Sequence, residues 1–323
     1  MKKSLLALAV LSAITGAASA QSSVTLSGAV DLGVRRSNGV WSMTNAGSSR
    51  TNLNFSGTED LGGGMNVFFN INHRFNANTG QQRDANAFYR QAWVGLGGGF
   101  GNIRLGKILP PLQDFNGQFE PWDGGDTVAS IHTGGLFAGN TNYGSRYVNS
   151  IYYRTPVIGG LVGHAMIAAG DNNSEVPPSS PALQPGGAER PVGLGVIWGG
   201  GPVRVAAAYD RNADDKKTFG LYGSFNAGFA TLMAQYEKGD IYTVPETDVK
   251  RWSIGANIPF GAAVLKAGYA RFSDEEKKKL GLGVYYSLSK RTTLYSDLGK
   301  NSGDGWTDPQ KKTMFDVGIH HRF

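Results

Sequence analysis

Histidine and serine are the residues to consider first for catalysis, and their spacing does not support it. No serine stands in a G-x-S-x-G motif, which would present a nucleophile on a sharp turn. His320 and His321 are adjacent, so in a strand their side chains point to opposite faces and do not converge on one metal ion. The other histidines are His73, His132 and His164. We therefore expect no enzyme, no catalytic centre, no metal site and no cofactor.

Acidic residues recur in the longest polar connection of the chain, residues 109–144. A connection of more than about 15 residues without structure of its own usually has a function. Carboxylates held across a narrow gap from basic groups would orient and select charged solutes, because a low-dielectric wall concentrates the field. Alternatively, they pair with arginines or accept hydrogen bonds from the loop backbone. The acids of this loop are Asp114, Glu120, Asp123 and Asp126.

Apolar and polar residues alternate in the segments that must position these side chains. The pattern is clear over residues 24–35 and recurs over residues 50–57 and 66–75. Successive side chains of a strand point to opposite faces, so each segment is typical of a strand with one apolar and one polar face. A soluble β-sandwich shows the same alternation, so this pattern alone does not distinguish a sandwich from a barrel.

The lengths of the connections favour the barrel. Tight turns, such as residues 58–64 and 199–201, alternate with long polar stretches, such as residues 37–48 and 171–190. Short turns at one rim and long loops at the other are the arrangement of outer-membrane barrels, and a count of about sixteen segments fits their even strand number. The sequence therefore predicts an all-β fold, a transmembrane antiparallel 16-stranded β-barrel.

The N-terminal residues predict export. Two lysines, an apolar stretch over residues 5–14 and the small residues at 18–20 have the layout of a secretory signal peptide. We expect a cleaved signal over residues 1–20 and one barrel domain over residues 21–323. Loss of two lysines lowers the formal net charge from +6 to +4, an excess too small and dispersed to indicate nucleic-acid binding. Cysteine is absent, so backbone pairing and packing must hold the exported chain together.

The last strand and four further motifs resemble a known family. In residues 313–323, Phe315, Val317, Ile319 and Phe323 share one face, interrupted only by His321. The motifs are SVTLSG at residues 23–28, GTEDLGGG at 57–64, FGNIRLGK at 100–107 and LSKRT at 288–292. With these features the chain resembles the Gram-negative general diffusion porins of the β-proteobacterial, Neisseria/Burkholderia/Comamonas-type family.

The resemblance implies a homotrimer of 16-stranded barrels in which the third external loop, residues 109–144, folds into the lumen. It implies three constriction arginines, Arg50, Arg90 and Arg146, opposite the loop acids. Alternation places Arg50 on the polar face, whereas Arg90 shares its phase with apolar Ala92 and Val94. The alternative for each arginine is a solvated charge at the rim. A secondary basic wall is expected from Arg74, Lys107, Arg154 and Arg204.

The expected function is passive diffusion of small hydrophilic solutes and ions across the outer membrane, with a weak preference for anions. The alternative is a substrate-specific outer-membrane channel for organic or aromatic acids, because the two kinds of channel share one scaffold. Expected partners are outer-membrane lipid and the barrel-assembly machinery, whose recognition signal the terminal Phe323 resembles. Candidates for aromatic bands on the outer surface are Tyr147, Tyr153, Tyr209 and Trp252, although each could equally pack in the lumen or a turn.

Overall fold

The computed structural model of the protein describes residues 23–45, 50–83, 89–131, 146–168, 189–213, 215–240, 248–273 and 276–323. The expected signal peptide and residues 132–144 of the expected inward loop lie outside these ranges. The first nine strands are β1 (Ser23–Ser37), β2 (Val40–Thr44), β3 (Asn52–Gly62), β4 (Met65–Asn76), β5 (Gln81–Gln82), β6 (Tyr89–Gly98), β7 (Gly101–Ile108), β8 (Tyr147–Arg154) and β9 (Leu161–Ala168). The other nine are β10 (Val192–Gly200), β11 (Val203–Arg211), β12 (Lys217–Asn226), β13 (Thr231–Gly239), β14 (Val249–Phe260), β15 (Ala263–Phe272), β16 (Lys277–Ser287), β17 (Thr292–Ser302) and β18 (Met314–Arg322). Two short helices are α1 (Pro111–Gln118) and α2 (Asp308–Lys311).

Sixteen of these strands form a closed antiparallel barrel, as predicted. Each strand pairs with its neighbour along the chain, and β18 closes the wall against β1 in a register that includes Ala29 opposite Arg322. The short strand β2 extends the pairing of β1 beyond its contact with β3, and β5 pairs only with the end of β4. Closure leaves no unpaired strand edge, which is what a sheet surrounded by hydrocarbon requires.

The connections differ in length between the two rims. At one rim, two-residue turns join β10 to β11 and β14 to β15. Gly201 and Gly261 begin these turns with φ values of +56° and +59°, and glycine takes this backbone conformation without steric cost. Ser23 and Phe323 lie at the same rim, where the backbone of Phe323 exchanges hydrogen bonds of 3.1 and 3.2 Å with Gly28. The longer connections, including residues 109–146, leave from the opposite rim.

Side chains alternate between an apolar outer face and a largely polar inner face. Along β16, for example, Leu280, Leu282 and Val284 are 45–47% exposed, whereas Lys279 just before them and Tyr285 just after them are buried. Exposed leucine, isoleucine and valine recur at outward positions around the barrel, which is the apolar band that contacts lipid. Neither helix in the described ranges is long and apolar enough to cross a membrane.

Candidate functional site

Residues 109–131 lie along the inner wall of the barrel. Pro111 occupies the first turn of α1, where its missing N–H is not needed, and α1 contacts β9 to β12. Phe115 and Phe119 pack there on inward-facing Tyr222. Farther along, Trp122 packs in a second buried cluster with residues of β15, β16 and β17. Residues 109–131 thus pack inside the barrel, and the inward course of the whole loop over residues 109–144 stays a prediction.

Glycines on the wall make room for the loop backbone. A Cβ atom at Gly281 would lie 2.0 Å from the carbonyl oxygen of Ala129, and one at Gly299 would lie 2.1 Å from that of Val128. These separations are far below any van der Waals contact, so any larger residue would push the loop away from the wall. Glycine is therefore required at these two inner-face positions for the loop to pack against the wall.

Buried acids of the wall hold the loop in place. The Asp297 carboxylate accepts a 2.8 Å hydrogen bond from Nε1 of Trp122, and Asp316 accepts one of 3.0 Å from the backbone N–H of Val128. On β13, Glu237 accepts a 2.8 Å hydrogen bond from Asn116 of α1. These carboxylates lie behind the loop and are at most 2% exposed, so they contribute little to the surface that a solute meets.

A cavity of about 180 Å³ lies between the loop and the uncovered part of the wall. It is lined on the wall side by Arg50, Arg90 and Arg146, and on the loop side by Leu109, Gln113, Asp114, Gly117, Gln118, Asp123 and Gly124. The structure thus brings together the three arginines and two of the four loop acids that the sequence indicated. This is the candidate functional site, a gap with arginines on one side and carboxylates on the other.

A β-bulge explains why alternation failed at Arg90. In the pairing of β4 with β6, Asn72 lies opposite Gln91 but His73 lies opposite Tyr89, so Arg90 is an extra residue on β6. An extra residue shifts the phase of the strand by one position. Arg90 therefore lines the lumen together with Gln91, although strict alternation assigns it to the apolar face.

Two further arginines extend the basic side of the gap. Arg74 is only 8% exposed, and the charges of Arg50, Arg90, Arg146 and Arg83 all act on it. The backbone N–H of Arg83 donates to the carbonyl oxygen of Arg74 at 3.1 Å, which fixes Arg83 beside the cluster. Arg74 was predicted for the secondary basic wall. Arg83 was not predicted for the site, because it follows the two-residue strand β5 and no alternation pattern surrounds it.

Asp126 is bound by the arginine cluster. Its carboxylate accepts a 3.3 Å hydrogen bond from Arg50 and forms a second ion pair with Arg83. Arg35 donates a 2.5 Å hydrogen bond to its backbone carbonyl oxygen. The two guanidinium groups outweigh the effect of burial and hold the pKa of the Asp126 carboxyl well below its usual range. Asp126 therefore stays charged and offsets part of the positive charge.

Glu120 faces the loop interior and not the lumen. It is fully buried, and its Oε1 accepts hydrogen bonds from the backbone N–H of Gly124 at 2.6 Å and from Ser130 Oγ at 3.2 Å. Burial raises the pKa of this carboxyl to about 7. The constriction role predicted for Glu120 is therefore wrong, and the alternative weighed for the loop acids, hydrogen bonding within the loop, applies to it.

Asp114 and Asp123 are the acids that line the cavity. Gln118 donates a 3.0 Å hydrogen bond to Asp114, and burial raises the pKa of this carboxyl. Burial also raises the pKa of Asp123, which adopts a left-handed backbone with φ of +51°. Aspartate is one of the few residues other than glycine that tolerate this conformation. Asp114 is acted on by Arg146 of the cluster, whereas the cations that act on Asp123 are Lys266 and Arg322.

The secondary basic wall needs one correction. Arg154 and Arg204 face the lumen, and Arg204 donates a 2.9 Å hydrogen bond to Gln118 of the loop. Lys107 instead shares the outward phase of Ile103 and Leu105, and its Nζ donates to the carbonyl oxygen of Tyr89 at 3.3 Å. It therefore does not belong to the lumen wall.

Arg104 is a lumen residue that sequence analysis did not assign to the site. Its guanidinium carbon lies 4.9 Å from the ring centre of Trp93 and 5.4 Å from that of Tyr152. Alternation with outward-facing Ile103 and Leu105 was the signal that could have found it.

The candidate aromatic residues divide between the two faces. Tyr153, Tyr209 and Trp252 lie at outward positions, whereas Tyr147 is 1% exposed and donates a 2.7 Å hydrogen bond to inward-facing Asp210. Tyr147 is therefore a lumen-side packing residue, so the alternative given for these candidates, packing in the lumen, applies to it.

Histidine and carboxylate side chains are not gathered into a metal site in the described ranges. His164 contacts the hydroxyl of Tyr152 at 2.6 Å through Nδ1, and His321 contacts Thr292 at 2.9 Å. His132 lies outside the described residues.

Comparison with known proteins agrees with this architecture. Residues 7–305 match the family described as Gram-negative porin. The chain is 30% identical over 343 residues to outer membrane porin protein 32 of Delftia acidovorans, covering 99% of this chain and 95% of that protein. It is 27% identical over 391 residues to an outer membrane porin protein of Bordetella pertussis, covering all of both chains.

A solved structure with the same fold is described as an anion-selective porin from Comamonas acidovorans. Its TM-score is 0.77 at 25% identity, and the alignment covers 94% of this chain and all of that one. Porins are outer-membrane channels and not enzymes. The barrel closure, the family match and the end-to-end relatives agree that this chain belongs to the Gram-negative porin family.

Proposed function

We propose that this porin is a passive pore for small hydrophilic solutes and ions, with a weak preference for anions set at the gap between the loop and the arginine cluster. The observation that carries the proposal is the imbalance of charge around that gap. Five arginines stand on the wall side, and three loop carboxylates line the gap or pair with the arginines, because Glu120 turns away. The loop-side carboxylates are those of Asp114, Asp123 and Asp126.

The imbalance favours anions without excluding cations. Five positive and three negative formal charges leave a local net charge of +2 in a narrow, water-filled gap. A net charge of this size in a gap with low-dielectric walls raises the local concentration of anions, and salt screens the effect. The description of the Comamonas acidovorans porin as anion-selective supports the same sign of preference for this chain.

Reversal potentials in a salt gradient across a planar bilayer test the proposal. Wild-type protein should give a potential of the sign expected for anion preference. Replacing Arg50, Arg90 and Arg146 together by glutamine leaves two arginines against three carboxylates, a net charge of −1, so the potential should change sign.

A matched triple variant keeps this test specific. Arg36, Arg271 and Arg291 are exposed and lie away from the gap, so replacing them by glutamine removes the same total charge. The control should keep the wild-type potential. A clear cation preference of the wild-type pore, or equal shifts in both triple variants, would contradict the assignment of selectivity to the gap.

The same recordings address the remaining proposals. A homotrimer should close in three equal steps, as the family resemblance implies. Saturable block of the current by a particular organic or aromatic acid would indicate the substrate-specific alternative, whereas a general pore shows none. The role of the terminal Phe323 as an assembly signal stays a prediction, supported by the backbone hydrogen bonds with which this residue closes the barrel.

A further inference from the structure

Seven basic side chains form a row on the outer surface of the barrel, near the rim from which the long loops leave. They occupy outward positions at the corresponding ends of seven consecutive strands, β11 to β17. We call this set the basic belt, and it consists of Arg211, Lys217, Lys238, Lys250, Arg271, Lys278 and Lys300.

Register shows that the belt cations face outward. Lys278 alternates with buried Lys279 and shares its face with exposed Leu280 and Leu282, and Lys300 lies directly opposite Leu280. The outward strand positions of β11 to β17 carry no acidic residue, because their acids, such as Asp210 and Glu237, face inward. The belt is therefore a single-sign surface on the outside of the barrel.

Several belt cations stand directly opposite one another. Cross-strand partners include Lys238 with Lys250 and Arg271 with Lys278. Side chains at such positions have Cβ atoms only about 4.5–5.5 Å apart, and like charges there destabilise the sheet. A repeated arrangement of this kind is expected where an external anion lies between the cations.

Outward aromatic side chains indicate where the belt lies relative to the membrane boundary. Tyr209, Phe219, Tyr236, Trp252 and Tyr269 each lie at an outward position two residues from a belt cation, on the side toward the middle of the strand. Outward aromatic residues of a barrel mark the boundary between hydrocarbon and headgroups. Two residues of strand rise by about 7 Å, so the cations reach the headgroup layer.

Loop carboxylates pair with only part of the belt. Lys217 lies 3.1 Å from Asp215, and Lys238 lies 3.0 Å from Asp248. Within the described ranges, no carboxylate lies within 4.0 Å of Arg271, Lys278 or Lys300. Among the described residues, the part of the belt on β15 to β17 therefore has the fewest carboxylate partners.

The other half of the barrel lacks this feature. In β18 and β1 to β10, the outward strand positions near the same rim carry two cations among the described residues, Arg36 and Lys107. The concentration of cations on β11 to β17 is therefore a local property of this face and not a consequence of the net charge of the chain.

We propose that the basic belt binds phosphate groups of lipid headgroups in the outer leaflet of the membrane, with Arg271 and Lys278 as the main contacts. Phosphate matches this site because it accepts hydrogen bonds from guanidinium and ammonium groups together and carries the opposite charge. The aromatic residues beneath would contact the acyl and interfacial part of the same lipid. This interaction surface is separate from the gap that selects ions.

Binding of diphosphoryl lipid A to the purified porin in neutral detergent tests the proposal, with native mass spectrometry as the readout. Each cation near an anionic lipid surface contributes roughly five-fold in affinity, so Arg271→Gln with Lys278→Gln should weaken binding by roughly twenty-five-fold. Conductance and heat-modifiable mobility on gels report that the variant is folded, because neither residue lies in the lumen.

A double variant at the opposite rim is the matched control. Lys290 and Arg291 are exposed in the turn between β16 and β17, and replacing both by glutamine removes the same charge. This control and the wild type should bind the lipid equally, and lipid A without phosphates should bind weakly to all three proteins. Wild-type affinity in the belt variant, or equal binding of the dephosphorylated lipid, would overturn the proposal. Displacement of the lipid by millimolar inorganic phosphate would instead identify a general anion site and would overturn it too.

Discussion

Asp126→Asn should strengthen anion preference, because Asp126 is the carboxylate that the arginine cluster holds most directly. Asparagine has nearly the same shape, and its single side-chain oxygen can still accept a hydrogen bond from Arg50 or from Arg83, which bind different oxygens of the carboxylate. The backbone carbonyl of residue 126 keeps its hydrogen bond from Arg35. The substitution therefore changes the local net charge from +2 to +3 with little change in shape.

The magnitude follows from the electrostatics of a wet pore. A unit charge about 8 Å from a permeating ion changes the energy of that ion by about 0.5 kcal/mol in water. Screening with a Debye length of about 10 Å at 0.1 M salt reduces this change to roughly 0.2 kcal/mol. Anions gain this energy and cations lose it, so the anion-to-cation permeability ratio should rise roughly two-fold. At 0.01 M salt the Debye length is about 30 Å, and the expected rise is roughly four-fold.

Reversal potentials of wild type and Asp126→Asn at the two salt concentrations provide the assay. Glu120→Gln is the matched control, because it makes the same chemical change in the same loop at a side chain that faces away from the cavity. The control should leave the permeability ratio unchanged. An unchanged ratio in Asp126→Asn, or an equal change in Glu120→Gln, would refute the charge balance assigned to the gap.

Two further predictions concern the seating of the loop. Gly281→Val should lower single-channel conductance, because a Cβ at residue 281 would lie 2.0 Å from the carbonyl oxygen of Ala129 and push the loop into the lumen. Gly223→Val should leave conductance unchanged, because a Cβ at residue 223 meets no atom within 4 Å. Protection of the Gly124 amide from hydrogen exchange, corrected for the intrinsic rate, should fall as pH rises from about 5 to 8. Burial favours neutral Glu120 and raises its pKa from 4.5 to about 7, so keeping the carboxyl neutral in the closed loop costs more as pH rises from about 4.5 to about 7, and the loss of protection is complete above that. Protection that stays constant with pH in the wild type, or that varies equally in Glu120→Gln, would contradict this role of Glu120.

The barrel could be predicted because its cause is local. Alternation in residues 24–35 follows from the two environments that the two faces of β1 meet, and the glycine turns follow from the backbone conformation of two-residue hairpins. The terminal strand was assigned correctly for the same reason, since Val317 and Ile319 lie exposed on the outer surface. Each of these features is decided within a few residues of sequence.

The details of the gap could not be predicted in this way. Arg90 faces the lumen because of a bulge, and a one-residue change of phase leaves no mark in the pattern of apolar residues. Arg83 enters the site through an ion pair with Asp126, a residue 43 positions away. Lys107 was assigned by its position at the root of the loop, although the phase of Ile103 and Leu105 already indicated the outer face.

The acids show most clearly why residue type and position do not determine selectivity. Glu237, Asp297 and Asp316 face inward by alternation, and a count of inward charges would give them the same weight as the arginines. Each of them instead accepts a hydrogen bond from the loop and is at most 2% exposed. The loop therefore narrows the channel and also covers acids that would attract cations. Because one segment does both, displacing it should widen the pore and weaken anion preference together, whereas changing the arginines alone should alter preference with less effect on width.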